Sequence, residues 1–429
     1  MVVMLTVAVV TVALFLLSVL FFPSIGKNKK FKIYSWIPLI GALFMIALGD
    51  LGFKDVFRAF TENTSVNPIK ILILFLSMTV YSLILDKTGF FRYISGVVLK
   101  KSGHNQYVIF LSLYAVIAVL TVFTSNDIVI LTFTPFICNF CRAAKIDVIP
   151  YLIMEFVVAN TWSLFLLIGN PTNIYISGAF NISFTEYFIN MALPTVAAGL
   201  ASLGLMLLIF GKKLRTPVDT HTEIEKVNDR PLMTVSLAHL LICIVLLAVS
   251  QYTGMEMWLI SLIMGISAIV CSLVVLVFRH KSIAPIGLAL KGMPFEIIPF
   301  VIGMFIIVMG LDNAGVTEFI ANAIEIGDGV LSYGLASLFS SNFLNNIPMS
   351  VLFSKILSFS PSMPEIYATI VGSNIGAFLT PVGALAGIMW SNLVKENNVR
   401  LSVGKFVSYG MAIGIPTMLA SLFIIMVVV

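Results

Sequence analysis

Apolar residues run along this chain in blocks long enough to cross a bilayer, and the polar residues that interrupt them do so at places that match in pairs. Runs of ~17–25 apolar residues suit a hydrocarbon core of ~30 Å. They predict ten crossings, at 3–22, 34–51, 69–86, 150–180, 186–210, 235–252, 257–278, 295–312, 365–394 and 405–428. Two further stretches, 107–140 and 329–358, are too long for one crossing and carry a polar tip at mid-length. The first tip is Ser125-Asn126-Asp127 and the second is Asn345-Asn346-Ile347-Pro348, so each stretch is expected to be a re-entrant hairpin. The crossings at 150–180 and 365–394 are expected to be broken, at Gly169-Asn170-Pro171-Thr172-Asn173 and Thr380-Pro381-Val382-Gly383. Backbone that leaves a helix in lipid keeps N–H and C=O groups without partners, at several kcal/mol each, unless protein, water or a solute satisfies them. Paired breaks therefore predict a solute site near mid-membrane.

The two halves align. Leu85-Asp86-Lys87-Thr88-Gly89 matches Leu311-Asp312-Asn313-Ala314-Gly315, Asn126 falls opposite Asn346, Ala159-Asn160 opposite Ser373-Asn374, and Pro194 opposite Pro416. Each half holds five crossings, an odd number, so the repeats are expected to be inverted: 1–211, a linker at 212–234, and 235–429. The expected fold is an all-α polytopic membrane protein with inverted repeats, two hairpins and two broken helices, an architecture of secondary transporters. The segments 88–104 and 314–327 read as short amphipathic surface helices.

Composition agrees with the pattern: 59% of the residues are hydrophobic and 10% charged, against about 25% charged in soluble domains. Of the 25 basic residues, including Lys27, Lys29 and Lys30, all but Lys54, Arg58, Lys70 and Lys355 fall on one side of this layout. The positive-inside rule makes that side cytoplasmic in a plasma (inner) membrane, with both termini outside. The first hairpin then opens from the cytoplasm and the second from the exterior. The run Val2 to Phe22 has no basic leader or small-residue cleavage site and reads as a retained helix. The net charge of +5 carries no nucleic-acid reading.

The candidate chemistry lies at the interruptions. Ser125, Asn126, Asn170, Thr172, Asn173, Asn345, Asn346, Ser373, Asn374 and Thr380 offer amides and hydroxyls able to bind a small polar or anionic solute. Free backbone N–H groups at half-helix N-termini add positive character. The plain alternative is that such residues only join helices by hydrogen bonds. Asp127 is a carboxylate at mid-membrane, expected to be protonated, paired, or beside water or a cation. It is a candidate ligand for a coupling H+ or Na+, with Asn160 and Glu155 beside the same path; Glu155 would equally snorkel to the cytoplasmic face. Asp86 and Asp312 are expected to cap turns through their neighbouring glycines. Cys138-x-x-Cys141 reads as small buried thiols, because no second pair and no His accompany it. His104, His221 and His280 fall in loops and His239 at a helix start, so no metal site is expected. No phosphate-binding glycine loop is present, so no cofactor and no ATP hydrolysis by the chain itself are expected. The membrane serines have no His partner, which argues against an enzyme. The closed double-hairpin plan argues against a channel.

On these residues the chain resembles the ion transporter superfamily, specifically its arsenical pump membrane protein branch. There the first tip reads Ala-Asn-Asp with Thr-Pro following; here Ser125-Asn126-Asp127 precedes Thr134-Pro135 at the same spacing. Asn345-Asn346-Ile347-Pro348 resembles the branch's second tip, and Gly372-Ser373 through Thr380-Pro381-Val382-Gly383 to Trp390 keeps its spacing. Two positions depart: Asn160 and Asn374 stand where arsenite permeases carry Asp. The break at Gly169 to Asn173 looks more like that of divalent-anion/sodium symporters and the melanosomal P-protein group. The resemblance implies a secondary transporter of a small anion or metalloid oxyacid, with alternating access, a proton or sodium gradient and a homodimer. The alternatives are a sodium-coupled di- or tricarboxylate symporter and a sodium/proton antiporter.

Overall fold

The chain is all-helical in a computed structural model that describes residues 2–21, 32–48, 51–64, 67–216, 218, 226–324 and 328–429. The first half holds α1 (Val2–Phe21), α2 (Ile37–Ala47), α3 (Phe53–Thr61), α4 (Pro68–Lys87), α5 (Phe90–Ser102), α6 (Gln106–Phe123), α7 (Asn126–Ala143), α8 (Ile149–Trp162), α9 (Pro171–Ala179) and α10 (Phe184–Phe210). The second holds α11 (Arg230–Ala248), α12 (Ser250–Thr253), α13 (Met257–Phe278), α14 (Ala284–Lys291), α15 (Ile297–Asn313), α16 (Val316–Ile324), α17 (Gly329–Leu344), α18 (Asn346–Leu357), α19 (Met363–Gly376), α20 (Leu385–Glu396) and α21 (Val403–Val428). Lys27, Lys29 and Lys30 lie outside the described residues, as do Asp219, His221, Glu223 and Glu225 of the expected linker and the end of the 314–327 segment.

Local sequence sets the helix starts. Asn67 accepts the Ile69 N–H just ahead of Pro68, and Asn105 accepts that of Tyr107. Ser183 and Glu186 form the Ser-x-x-Glu pattern at the head of α10, where the Ser183 hydroxyl accepts the Glu186 N–H. Such caps contribute about 1 kcal/mol each. Asp229 caps Leu232 and so begins α11 at Arg230, ahead of the expected 235. His239 therefore lies inside α11, bonded to the Val235 carbonyl and Ser267 Oγ at 2.8 and 3.1 Å. Gly89 and Gly315, at φ 78° and 73°, turn the chain from α4 into α5 and from α15 into α16. As expected, Asp86 and Asp312 cap those turns through the glycines: their backbone carbonyls accept the Gly89 N–H at 3.0 Å and the Gly315 N–H at 2.9 Å. Asp86 accepts from Lys87 at 2.8 Å and Thr132 at 3.3 Å; Asp312 accepts from Thr317 at 2.6 Å and lies 3.5 Å from Lys355.

Seven described helices (α1, α4, α6, α10, α11, α13 and α21) are each long and apolar enough to cross a membrane, or eight if α15 and α16, bent by 81°, count as one. The remaining expected crossings are built from shorter pieces: α2 has 11 residues, and α8/α9 and α19/α20 are interrupted pairs.

The helices pack in matched pairs. α6 lies on α8 as α17 lies on α19; α7 packs on α20 and α18 on α9; α10 runs along α21. A second group forms where α2 packs on α15 and α13 on α4. The groups meet along a seam of Ile71, Leu72 and Phe75 from α4 and Ile297 and Val301 from α15, set against Pro171, Tyr175 and Ile347. The void left there is about 10 Å³, at the lower limit for one water. The interrupted helices thus sit in the centre, enclosed by continuous ones.

Candidate functional site

Each tip forms where a helix stops for lack of a following helical residue. α6 ends at Phe123, Thr124 and Ser125 are extended, and α7 restarts at Asn126. α17 ends at Leu344, and Asn345 stands at φ 74°, ψ 153° before α18 restarts. That region is nearly reserved for glycine and costs about 1–3 kcal/mol. Two side-chain contacts hold it: Asn345 Nδ2 donates to the Val382 carbonyl at 2.9 Å, and its Oδ1 accepts the Ile347 N–H at 3.5 Å. The Asn346 N–H donates to the Gly383 carbonyl at 2.9 Å, so the second tip rests on the second break. At the first break, a Cβ on Gly169 would stand 2.2 Å from the Ser163 carbonyl oxygen, so only glycine fits.

A buried amide network joins these interruptions across both halves. Asn126 Nδ2 donates to Asn160 Oδ1 at 3.1 Å, and Asn160 Nδ2 donates to the Phe156 carbonyl at 2.8 Å. In the other half, Asn374 Nδ2 donates to the Ile370 carbonyl at 2.9 Å and to Asn173 Oδ1 at 2.8 Å. Asn173 Nδ2 donates to the Ser163 carbonyl at 2.8 Å, while the Ser163 hydroxyl reaches Asn374 Oδ1 at 3.2 Å and the Asn160 carbonyl at 2.9 Å. Ser373 donates to Thr172 Oγ1, and Thr172 to the Asn346 carbonyl, both at 3.4 Å. Asn170 Oδ1 accepts the Thr172 N–H at 3.0 Å and Asn346 Nδ2 at 3.4 Å.

Backbone partners fix how each amide points. Asn160 and Asn374 must turn their NH₂ groups to helix carbonyls, so their oxygens face inward. Asn126 must then present its NH₂ to Asn160, which frees Asn126 Oδ1. Asn170 must present its oxygen to the Thr172 N–H, which frees its NH₂ and turns Asn346 Oδ1 outward from the contact. The buried atoms left without a partner include Ser125 Oγ, Asn126 Oδ1, Asn170 Nδ2 and Asn346 Oδ1. Buried polar groups normally find partners; these four lie together in the chain's interruptions, at the two tips and the first break.

The other candidates fall around this network. Thr380 donates to Asn342 Oδ1 at 2.7 Å and is satisfied within the protein. Asp127 is partly buried in the first turn of α7 and makes no hydrogen bond to the network; the charges that act on it, Glu296 and Lys32, pair with each other. Glu155 does not snorkel. It is fully buried and accepts from Thr134 Oγ1 at 2.8 Å and Trp390 Nε1 at 3.3 Å. Two residues absent from the sequence-derived set prove central: Ser163, which ties Asn160 to Asn374, and Asn342, which holds the Gly376 carbonyl at 2.9 Å and receives Thr380. Ser163 directly follows the end of α8, and that position beside a break is its one sequence signal. Cys138 and Cys141 are buried, and no cluster of metal-ligating side chains occurs among the described residues.

Membrane-length helices around interrupted ones, with open polar valences at the interruptions, define a membrane transport protein. Residues 1–367 match the family described as citrate transporter, and the chain belongs to that family. It is similar to the arsenical pump membrane protein of Escherichia coli K12, 26% identical over 365 residues covering 81% of this chain and 84% of that protein. A putative arsenical pump membrane protein of Bacillus subtilis is 23% identical over 402 residues, covering 86% and 88%. The fold is like that of the YdaH transporter of Alcanivorax borkumensis, with a TM-score of 0.59 at 13% identity over 97% of this chain and 98% of that one. Neisseria gonorrhoeae MtrF gives a TM-score of 0.53 at 14% identity, covering 98% and 94%. The chain is a multi-pass membrane protein and a secondary transporter of the citrate-transporter and arsenical-pump type.

Proposed function

We propose that this transporter moves a small oxyacid bearing O–H groups, of the arsenite or antimonite kind, by alternating access driven by a proton or sodium gradient. The observation that carries the reading is the pair of free acceptors, Asn126 Oδ1 and Asn346 Oδ1, one on each tip. An O–H-bearing solute donates to these oxygens, while Asn170 Nδ2 and Ser125 Oγ donate to it. The N-termini of α7, α9 and α18 add partial positive charge. No Lys or Arg belongs to the network, so a multiply charged anion would meet free oxygens without a neutralising cation. The relatives named arsenical pump membrane proteins point the same way.

The matched packing of α6–α10 with α17–α21 supports reading 1–211 and 235–429 as inverted repeats around linker 212–234, with hairpins at α6–α7 and α17–α18. The apolar seam of α4 and α15 gives the central bundle a smooth surface to move against, with the Thr132–Asp86 and Lys355–Asp312 contacts as the polar ties that such a movement would break. In this reading both termini face outside the plasma membrane and Asp127 remains the acid nearest the tips.

The family match favours one alternative: a sodium-coupled citrate-like symporter, in which the free oxygens would hold a desolvated cation. Purified protein in liposomes, offered arsenite, phosphate-like oxyanions and citrate under imposed proton or sodium gradients, separates the two. Arsenite flux competed by antimonite is expected. Sodium-dependent citrate uptake without arsenite flux would overturn the reading.

A further inference from the structure

We infer that Glu155 is the proton-carrying site of this transporter, set apart from the solute network and reporting on both tips at once; the inference rests on the reading of the chain as a gradient-driven transporter. Glu155 lies on α8, five residues before Asn160, roughly 7–8 Å along the helix. Its two oxygens are held by different elements: Oε1 by Thr134 of α7, the helix that begins at the first tip, and Oε2 by Trp390 of α20, the helix that follows the second break. That break in turn carries the second tip, through the Asn346 N–H on the Gly383 carbonyl and Asn345 on the Val382 carbonyl. No ion pair to Glu155 exists among the described residues.

The donors decide where the proton goes. An indole N–H donates and never accepts, so Oε2 must remain an acceptor in either state. Oε1 is the better place for the proton, because Thr134 beside it can accept an O–H whereas the indole beside Oε2 cannot. Thr134 then has to accept instead of donate, turning its own O–H toward the carbonyl one turn back on α7. Gain or loss of one proton thus reverses the contact with the first-tip helix and leaves the contact with α20 intact. Access comes from a cleft of about 120 Å³ lined by Pro381, Val382, Trp390, Ser391 and Lys395. Trp390 forms part of its wall while bonding Glu155, so a shift of that indole opens the carboxyl to water.

The titratable groups on the elements packed against α8 are Asp127, Cys138, Cys141 and Arg142 of α7, Tyr107 and Tyr114 of α6, Glu186 and Tyr187 of α10, and Glu365 and Tyr367 of α19. Tyr151, one turn back on α8, bonds Gln106 at 3.1 Å. The charged groups on the helices that contact Glu155, Asp127 and Arg142 of α7 and Lys395 and Glu396 of α20, stand toward the ends of those helices, Arg142 donating to the Asn397 carbonyl at 2.8 Å.

Glu155→Gln supplies the test, because its amide keeps an acceptor for Trp390 and a donor for Thr134, the hydrogen-bond pattern of the acid form. The first readout needs no solute: the fluorescence difference between wild type and Trp390→Phe, titrated between about pH 4 and pH 9. A pH step that disappears in Glu155→Gln is expected; a step unchanged in Glu155→Gln, or no step at all, overturns the inference. In liposomes, Glu155→Gln is expected to lose accumulation against a gradient at least tenfold while keeping gradient-free solute exchange within about twofold. Wild-type accumulation overturns the inference, and so does loss of exchange in a folded variant. Absence of oxyacid flux in wild type would instead remove the oxyacid reading and leave the fluorescence test standing.

Discussion

Asn374→Ala removes the side chain that bridges the two halves of the network. It deletes the donor to Asn173 Oδ1 at 2.8 Å and the acceptor of Ser163 Oγ at 3.2 Å. Ser163 keeps its bond to the Asn160 carbonyl, so it loses little. Asn173 cannot adapt, because its NH₂ is committed to the Ser163 carbonyl at 2.8 Å, and its oxygen is left buried without a donor. An orphaned buried acceptor costs about 1–3 kcal/mol, and the void from a lost amide adds to it, so about 2–4 kcal/mol is expected. The shift in unfolding midpoint of the detergent-solubilised protein measures this, with Asn173→Ala and the double variant completing a cycle. The cycle should show a coupling of about 0.5–3 kcal/mol between residues that touch. Destabilisation under about 0.5 kcal/mol with additive variants would refute the bridging role, since ordinary uncoupled sites behave that way.

Gly169→Ala is expected to destabilise by about 1–3 kcal/mol or more, as overpacking against backbone does, because its Cβ would meet the Ser163 carbonyl oxygen at 2.2 Å; solute binding should fall with it. Asp229 pins the start of α11 to the end of α13 through Arg279 at 2.6 Å and Lys281 at 2.7 Å. Burial alone would raise this carboxyl, but hydrogen bonds from Lys281, the Leu232 N–H and Arg279 outweigh it and hold it below the usual carboxylate range. A carboxyl lowered on folding contributes stability above its unfolded pKa of about 3.9, lost as pH falls through the folded value. Asp229→Asn should therefore lower the unfolding midpoint at neutral pH and flatten its fall in acid.

The tips and breaks were legible because a polar residue inside an apolar run has no cheap explanation. Asn126, Asn170, Asn345 and Asn346 all stand at helix interruptions for that reason. The likeness of Asn160 to Asn374 was also visible, and each indeed donates to the carbonyl four residues back. What could not be read was which polar group would be satisfied. Thr380 carries the same signal as Thr172, yet Asn342, an unremarked amide inside α17, takes it up. Ser163 bridges residues from both halves, a relation fixed by three-dimensional packing alone. Glu155 reads equally as part of a coupling path or as snorkelling to the cytoplasmic face, and only its burial beside Trp390, from far along the chain, removes the second. Asp229 lies in a charged stretch that reads as linker, which sets the expected start of α11 five residues late; in the fold it is the cap of that helix.

The central claim is that oxygens on the two tips receive the solute together. Equilibrium binding of arsenite to the purified protein, compared among wild type, Asn126→Ala, Asn346→Ala and Thr380→Val, tests it most directly. The account predicts at least tenfold weaker binding in each Asn variant, about 1.4 kcal/mol, and near wild-type binding for Thr380→Val. Wild-type affinity in both Asn variants would contradict it.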